Sequence, residues 1–169
     1  MAVTRLNHAV LYVRDVDRSV AFYREALGFQ PVNQMPGAAF LRAPDSTNDH
    51  DLGLFAMGAG AAASPSGRSS VGLYHLAWEV DTLDELERLA GRLSALGALV
   101  GASDHSTTKS LYAHDPDGLE FEVAWIVPAA LLDEAALAGR NGIKPLDLAR
   151  EKQHYGAATR GGVGVSIPA

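Results

Sequence analysis

The feature that most constrains this chain is an internal duplication. "NHAVLYVRDVDRSVAFYREALGF", residues 7–29, has a counterpart 67 residues later, "YHLAWEVDTLDELERLAGRLSALGA". Each copy opens on a histidine, His8 or His75, inside an apolar run of strand character. Each continues through an acidic turn into an amphipathic helix and closes on Leu-Gly. One such unit leaves a sheet face exposed, and pairing two copies buries it. The expected fold is therefore α+β: two βαβββ modules pairing into a cupped mixed β-sheet half-barrel around a cavity, with a C-terminal helical tail. Equivalent residues of the two first strands then face each other across that cavity, which is why the paired histidines matter.

Local signals divide the chain accordingly. The first module spans 1–57, with a strand over 5–13, a helix starting at Asp15 or Asp17 and ending at Gly28, and strands near 29–34, 38–43 and 50–57. Residues 58–72, "GAGAAASPSGRSSVG", read as a linker or mobile loop. They lack the strand–turn–helix context of a phosphate-cradling loop. The second module spans 73–126, with a strand over 73–80, a helix over about 83–96 opened by Asp81 or Thr82, and strands near 98–102, 109–114 and 119–126. "DPDG" at 115–118 signals a turn between the last two. The extension 127–169 carries helical patterns at 129–139 and 145–153, split by "GRNG". The stretch "IKPLDLAREKQHYG" reads as a helix over a cavity mouth or against another subunit, and the final "ATRGGVGVSIPA" is read as mobile or docked on a neighbour.

Composition removes several classes of function. Net charge is −6 and no basic stripe appears, which argues against nucleic acid as a partner. The longest apolar stretch, Val123 to Leu132, is interrupted by Pro128 and is too short to span a bilayer, so no membrane role is expected. The N-terminus lacks the basic flank, apolar core and cleavage site of a signal peptide. The absence of cysteine excludes disulfides and thiolate ligands and suits a reducing, cytoplasmic location. Any metal site must use His, Asp, Glu or Tyr.

Glu122 is the residue that gives the histidines a chemistry. In the last strand of the second module, Glu120 and Glu122 share one face while Leu119, Phe121 and Val123 take the other. A carboxylate within "LEFEVAW" facing a dry core is costly without a partner, and a metal removes that cost. Two histidines and one carboxylate, with other positions open, make the facial triad used by non-haem Fe(II) oxygenases. Spacing alone leaves each residue an ordinary alternative: a satisfied core or surface histidine, a solvent-facing glutamate. Phe22, Tyr23, Leu86, Leu89 and Leu93 read as helix-to-sheet packing. Trp78 and Trp125 line a cavity or fill core, with core the simpler reading.

The stretches "LNHAVLYVRDVDRSVAFYREALGF", "LYHLAWEV" and "SLYAHDPDGLEFEVAW" resemble the vicinal oxygen chelate superfamily, which includes glyoxalases, fosfomycin- and bleomycin-resistance proteins and type I extradiol dioxygenases. The resemblance covers roughly residues 5–126, and its extradiol branch fits best. It implies that His8, His75 and Glu122 bind Fe(II), with Mn(II) or another divalent metal as alternatives. "HDLGLF" at 50–55 is similar to the strand carrying the acid/base histidine of those enzymes and points to His50. "DHSTTKSLYAHDPDGLEFE" is similar to their ligand segment and points to His105 and Tyr112 as catalytic hydrogen-bonding groups. The "DHGVS" form of that segment departs here, Gly-Val being Ser106-Thr107, and many extradiol enzymes have four such units where this chain has two. The strand "LGLFAMG" offers no carboxylate for the fourth ligand of a glyoxalase-type site.

The resemblance thus implies a metal-dependent extradiol dioxygenase, acting on a small catechol-type aromatic diol with O2 as co-substrate and assembling as a homodimer. The metal acidifies the bound diol, and an imidazole, His50, takes its proton and returns it as the ring opens. The alternatives are a glyoxalase, epimerase or thiol transferase of the same fold, in which His50 could serve as a further ligand, and a non-enzymatic drug-binding resistance protein. His114 is read as lying on the strand face opposite Tyr112, structural or exposed, and His154 as a surface residue of the tail.

Overall fold

A computed structural model describes residues 3, 5–66 and 70–164. The chain divides into two units, Met1–Pro65 with Asp115–Leu119, and Ser66–His114 with Glu120–Ala169. Each holds one open, mixed sheet, so the α+β class and the repeated βαβββ order are both present. Parts of the linker (67–69) and of the terminal segment (165–169) fall outside the described residues.

In the first unit β1 (Ala9–Val13) runs parallel to β4 (Leu52–Ala56), and β3 (Ala38–Arg42) and β2 (Gln30–Met35) complete the order β1-β4-β3-β2. Helix α1 (Val16–Leu27) starts where the Asp15 carboxylate accepts from the Arg18 N–H at 3.0 Å. It ends at Gly28, whose φ of 77° is left-handed and free of the Cβ penalty. Its Val16, Val20, Tyr23 and Ala26 are buried, as are Leu41, Leu52 and Leu54 of the sheet. Each such aliphatic side chain contributes roughly 1.5–3 kcal/mol when fully buried. The turn at 115–118 belongs to this unit. There Asp115 accepts from Tyr23 Oη at 3.2 Å and from the N–H groups of Asp117 and Leu119, while burial pushes its carboxyl above the ordinary range.

The second unit repeats the order with one added edge: β5 (Leu76–Glu79), β8 (Glu120–Ile126), β7 (Thr108–His114), β6 (Leu99–Asp104) and β9 (Lys144–Pro145). Helix α2 (Leu83–Ala95) is capped by Thr82, which accepts from the Glu85 N–H at 3.2 Å. Its buried stripe is Leu83, Leu86, Leu89 and Leu93. Leu111, Phe121, Val123 and Trp125 of the strands are buried too, and their alternation puts them on one sheet face. Trp125 is core, as read from the sequence: it is fully buried and its indole donates to the Thr159 carbonyl.

Several boundaries differ from the sequence reading. The opening strands begin at Ala9 and Leu76, so His8 and His75 each precede their strand by one residue. The cause is pairing, which starts at Ala9↔Leu52 and Leu76↔Phe121. His50 likewise stands two residues before β4. The preceding loop is held by Asp51, whose carboxylate accepts from the Ala43 N–H, Ser46 Oγ and Asn48 Nδ2. The first tail helix is split into a 3-10 turn (Ala129–Leu131) and α3 (Glu134–Gly139), because Asp133 caps a new start at the Ala136 N–H. The second, α4 (Leu148–Tyr155), is capped by Asp147. Residues near 161 dock on their own unit: the Gly161 N–H bonds the Asp81 carbonyl, and the Gly162 N–H the Ile126 carbonyl. Among the described residues no helix is long and apolar enough to cross a membrane.

Candidate functional site

The polar face of the second sheet gathers the chemistry-bearing residues. Register pairs Tyr112 with Glu122, Glu122 with Ala77, and His114 with Glu120. With period two, Ser110, Tyr112 and His114 of β7 and Glu120 and Glu122 of β8 therefore share the face that His75 enters from the start of β5. His114 lies on the same face as Tyr112, contrary to the sequence reading, since residues two apart on a strand point the same way. It is exposed, as expected, with Nε2 3.6 Å from Glu120.

His75 Nε2 stands 3.0 Å from Glu122 Oε2, and the other Glu122 oxygen accepts a short hydrogen bond from Ser110 Oγ. Both side chains of the pair are largely buried, 23% and 13% exposed. Among the described residues His75 Nδ1 has no hydrogen-bond partner, and Glu120 Oε1 stands 3.7 Å from it. Tyr74 and Tyr112 flank the imidazole at ring-centroid distances of 4.5 and 5.8 Å. Tyr112 Oη is 2.9 Å from His105 Nε2. Burial, reinforced by the charge of Glu122, pushes the Tyr112 phenol above its ordinary value, so it stays protonated and able to donate.

The first unit brings His8 and His50 together, ring centroids 4.6 Å apart, with Phe40 against His50 at 5.0 Å. His8 Nδ1 is 2.8 Å from Asn7 Oδ1 and His50 Nδ1 is 2.8 Å from Asp49 Oδ2. With the ring proton on Nδ1 facing each acceptor, Nε2 of a neutral imidazole would carry the lone pair. That is the tautomer a ligand or a general base needs.

The six sequence-derived residues thus form two groups: His8 and His50 in the first unit, His75, Glu122, Tyr112 and His105 in the second. Within either unit, among the described residues, no three His, Asp or Glu side chains gather into a metal-binding group. The second-unit pair nonetheless fits two positions of a three-residue ligand set. An octahedral ion with bonds of about 2.1 Å keeps neighbouring ligand atoms roughly 3 Å apart, which matches His75 Nε2 and Glu122 Oε2. The Ser110 hydrogen bond on Oε1 would leave Oε2 as the ligating oxygen. Ser110 was not picked out from sequence. Strand alternation from Tyr112 placed it on the right face, but a lone serine carries no chemical signature.

The architecture and the donor set define a class. A family model, Glyoxalase/Bleomycin resistance protein/Dioxygenase superfamily, matches residues 5–123, and the chain belongs to that superfamily. It is 32% identical over 120 residues to catechol-2,3-dioxygenase of Bacillus subtilis, covering 71% of this chain and 41% of that protein. It is 26% identical to the manganese-dependent 2,3-dihydroxybiphenyl 1,2-dioxygenase of Geobacillus genomosp. 3, covering 74% and 38%. It is also 29% identical to metallothiol transferase FosB of Lysinibacillus sphaericus, covering 72% and 82%. The chain therefore spans about two fifths of these two dioxygenases and most of the transferase. Among solved structures, a glyoxylase/bleomycin resistance protein/dioxygenase domain from Frankia sp. EAN1pec superposes with a TM-score of 0.61 at 23% identity, covering 73% of this chain and 92% of that one. That likeness concerns the fold alone.

Proposed function

We propose that this chain is a metal-dependent, ring-cleaving dioxygenase of the extradiol type, acting on a catechol-type diol with O2. The observation that carries this reading is the His75–Glu122 pair at 3.0 Å, backed by Ser110 and flanked by the Tyr112–His105 hydrogen bond. The family resemblance assigns His8 as the third ligand. A divalent ion, Fe(II) or Mn(II), held by these three would supply the Lewis acidity that lowers the diol's pKa.

The remaining roles fall to this chain's own groups. Asp49 orients His50, so its Nε2 can take the diol proton and later return it. Tyr112, kept as a phenol, donates toward the substrate oxygen, and His105 holds it in that orientation. A homodimer in the cytoplasm belongs to the same reading.

The test loads metal-free protein with Fe(II) under anaerobic conditions, adds a catechol panel and admits air. Oxygen uptake with a new near-visible band from the ring-opened product is expected. No uptake with iron confirmed at one per chain would overturn the activity while leaving the ligand assignment. Iron binding unchanged in His75→Ala would overturn the ligand assignment. A second reading, a thiol transferase or isomerase, is supported by one observation: the chain is 29% identical over 126 residues to the metallothiol transferase. Turnover of an epoxide or hemithioacetal, with none of catechols, would establish it. Chelator-insensitive binding of an aromatic drug would instead support the non-enzymatic reading.

A further inference from the structure

Three parts of the C-terminal extension converge on one turn of the second sheet. Strand β9 pairs with Ser103 and Asp104 at the end of β6. A Cβ added at Gly139, the last residue of α3, would lie 2.5 Å from Ser106 Oγ, so α3 rests directly on the turn. From α4, Glu151 reaches Lys109 Nζ at 2.9 Å. Lys109 is 2% exposed, and its ammonium also meets Asp104 Oδ1 at 2.5 Å. The same Asp104 oxygen accepts from the Ser106 N–H at 2.7 Å. The chain of contacts runs from the extension, through a buried lysine, to the backbone of the turn.

That turn needs holding. Ser106 has a φ of 69°, a left-handed conformation that glycine adopts freely and serine does not. His105 lies immediately before it, its N–H bonded to the Thr108 carbonyl, its carbonyl accepting from the Thr107 N–H and its ring held to Tyr112. A buried lysine between two carboxylates is an expensive device for stability alone, since an apolar replacement often does as well. Its geometric result is a fixed turn.

We infer that the C-terminal extension is a clamp that positions His105 through Glu151, Lys109 and Asp104, acting on the left-handed Ser106. Lys109, Asp104 and Glu151 are positioning residues, on the far side of the sheet from Glu122. A cavity of about 520 Å³ beside them, lined by Lys109, Glu151 and Tyr155, leaves the clamp room to loosen when a partner is removed. The consequence for turnover rests on the role proposed above for His105 in holding Tyr112, whereas the clamp itself does not.

The experiment uses the full chain, metal-free, with 15N-labelled histidine, reading the ring-nitrogen signals of His105. The parent should show one tautomer locked against Tyr112. Lys109→Met and Glu151→Gln should each replace that pattern with tautomer averaging while the His8 and His50 signals stay unchanged. Adding Ser106→Gly to Glu151→Gln should restore much of the locked pattern, because glycine holds the left-handed turn without the clamp. A purely structural ion pair would not be rescued in this way. If Lys109→Met does not fold, Glu151→Gln decides alone. An unchanged His105 signal in folded Glu151→Gln overturns the proposal, as does failure of the glycine rescue. With metal restored, kcat on a cleaved catechol should fall by up to about a hundredfold with KM little changed. A shifted His105 signal with unaltered kcat would keep the clamp and remove His105 from catalysis.

Discussion

Ser110→Ala isolates the hydrogen bond that sets the direction of Glu122. Ser110 is fully buried, and its hydroxyl donates to Glu122 Oε1, a carboxylate only 13% exposed. Water can therefore replace the lost donor only in part. A hydrogen bond to a charged group is worth about 1.5–3 kcal/mol. In the metal-free protein this predicts a melting temperature lower by roughly 3–12 °C, at about 2–4 °C per kcal/mol for a chain of this length. The lower end is expected, because His75 still faces the other oxygen. For the metal, losing a group that orients a ligand typically costs about ten- to a hundredfold in affinity. The assay is calorimetric titration with Mn(II), which avoids air oxidation, on Ser110→Ala and on Ser110→Thr, which keeps the hydroxyl. Weaker binding in alanine, partly recovered in threonine, is expected. If alanine binds Mn(II) within twofold of the parent, Ser110 does not orient a ligand and the role of Glu122 must be reconsidered.

His50→Ala should lower catechol turnover by about a hundred- to ten-thousandfold, the usual range for a general acid–base group, while leaving one metal per chain by elemental analysis. Ser19→Ala should be neutral or stabilising in a thermal melt, since the Ser19 hydroxyl is buried in α1 without a hydrogen-bond partner among the described residues and alanine is the better helix former. Acid should destabilise the fold through Asp51 and Asp104. Burial alone would raise both carboxyls, but hydrogen bonds from Ser46 and the Ala43 N–H, and from Lys109 and the Ser106 N–H, hold them below their ordinary value. A depressed carboxylate contributes stability that is full above its unfolded pKa of about 3.9 and is lost as pH falls through the folded value. Asp51→Asn should therefore melt well below the parent at pH 7, and the gap should narrow at pH 3. A gap that stays constant would show that Asp51 acts by something other than its charge.

Helix termini were the most legible part of this chain. Asp15, Thr82 and Gly28 are local devices whose action needs only a few neighbouring residues, and each stands where the sequence placed it. The tail helices were less so, because Asp133 restarts a helix in a stretch whose apolar pattern runs unbroken. The Gly-to-Ser departure in the ligand segment carried information that only geometry explains: position 106 has a positive φ, and this chain meets it with Asp104 in place of a glycine.

The sequence by itself determined the repeat, the strand–helix order and the candidate residues, because periodicity, caps and composition act within a few residues of chain. Alternation also placed Glu120 and Glu122 on one face, while His114 shows how the same rule fails when misapplied by one step. Only the tertiary structure decided that His75 meets Glu122 at 3.0 Å, that Ser110 turns that carboxylate, and that Lys109 is buried between Asp104 and Glu151. These contacts join residues as many as 47 positions apart through strand register and helix docking, and no local pattern in the chain encodes such a register.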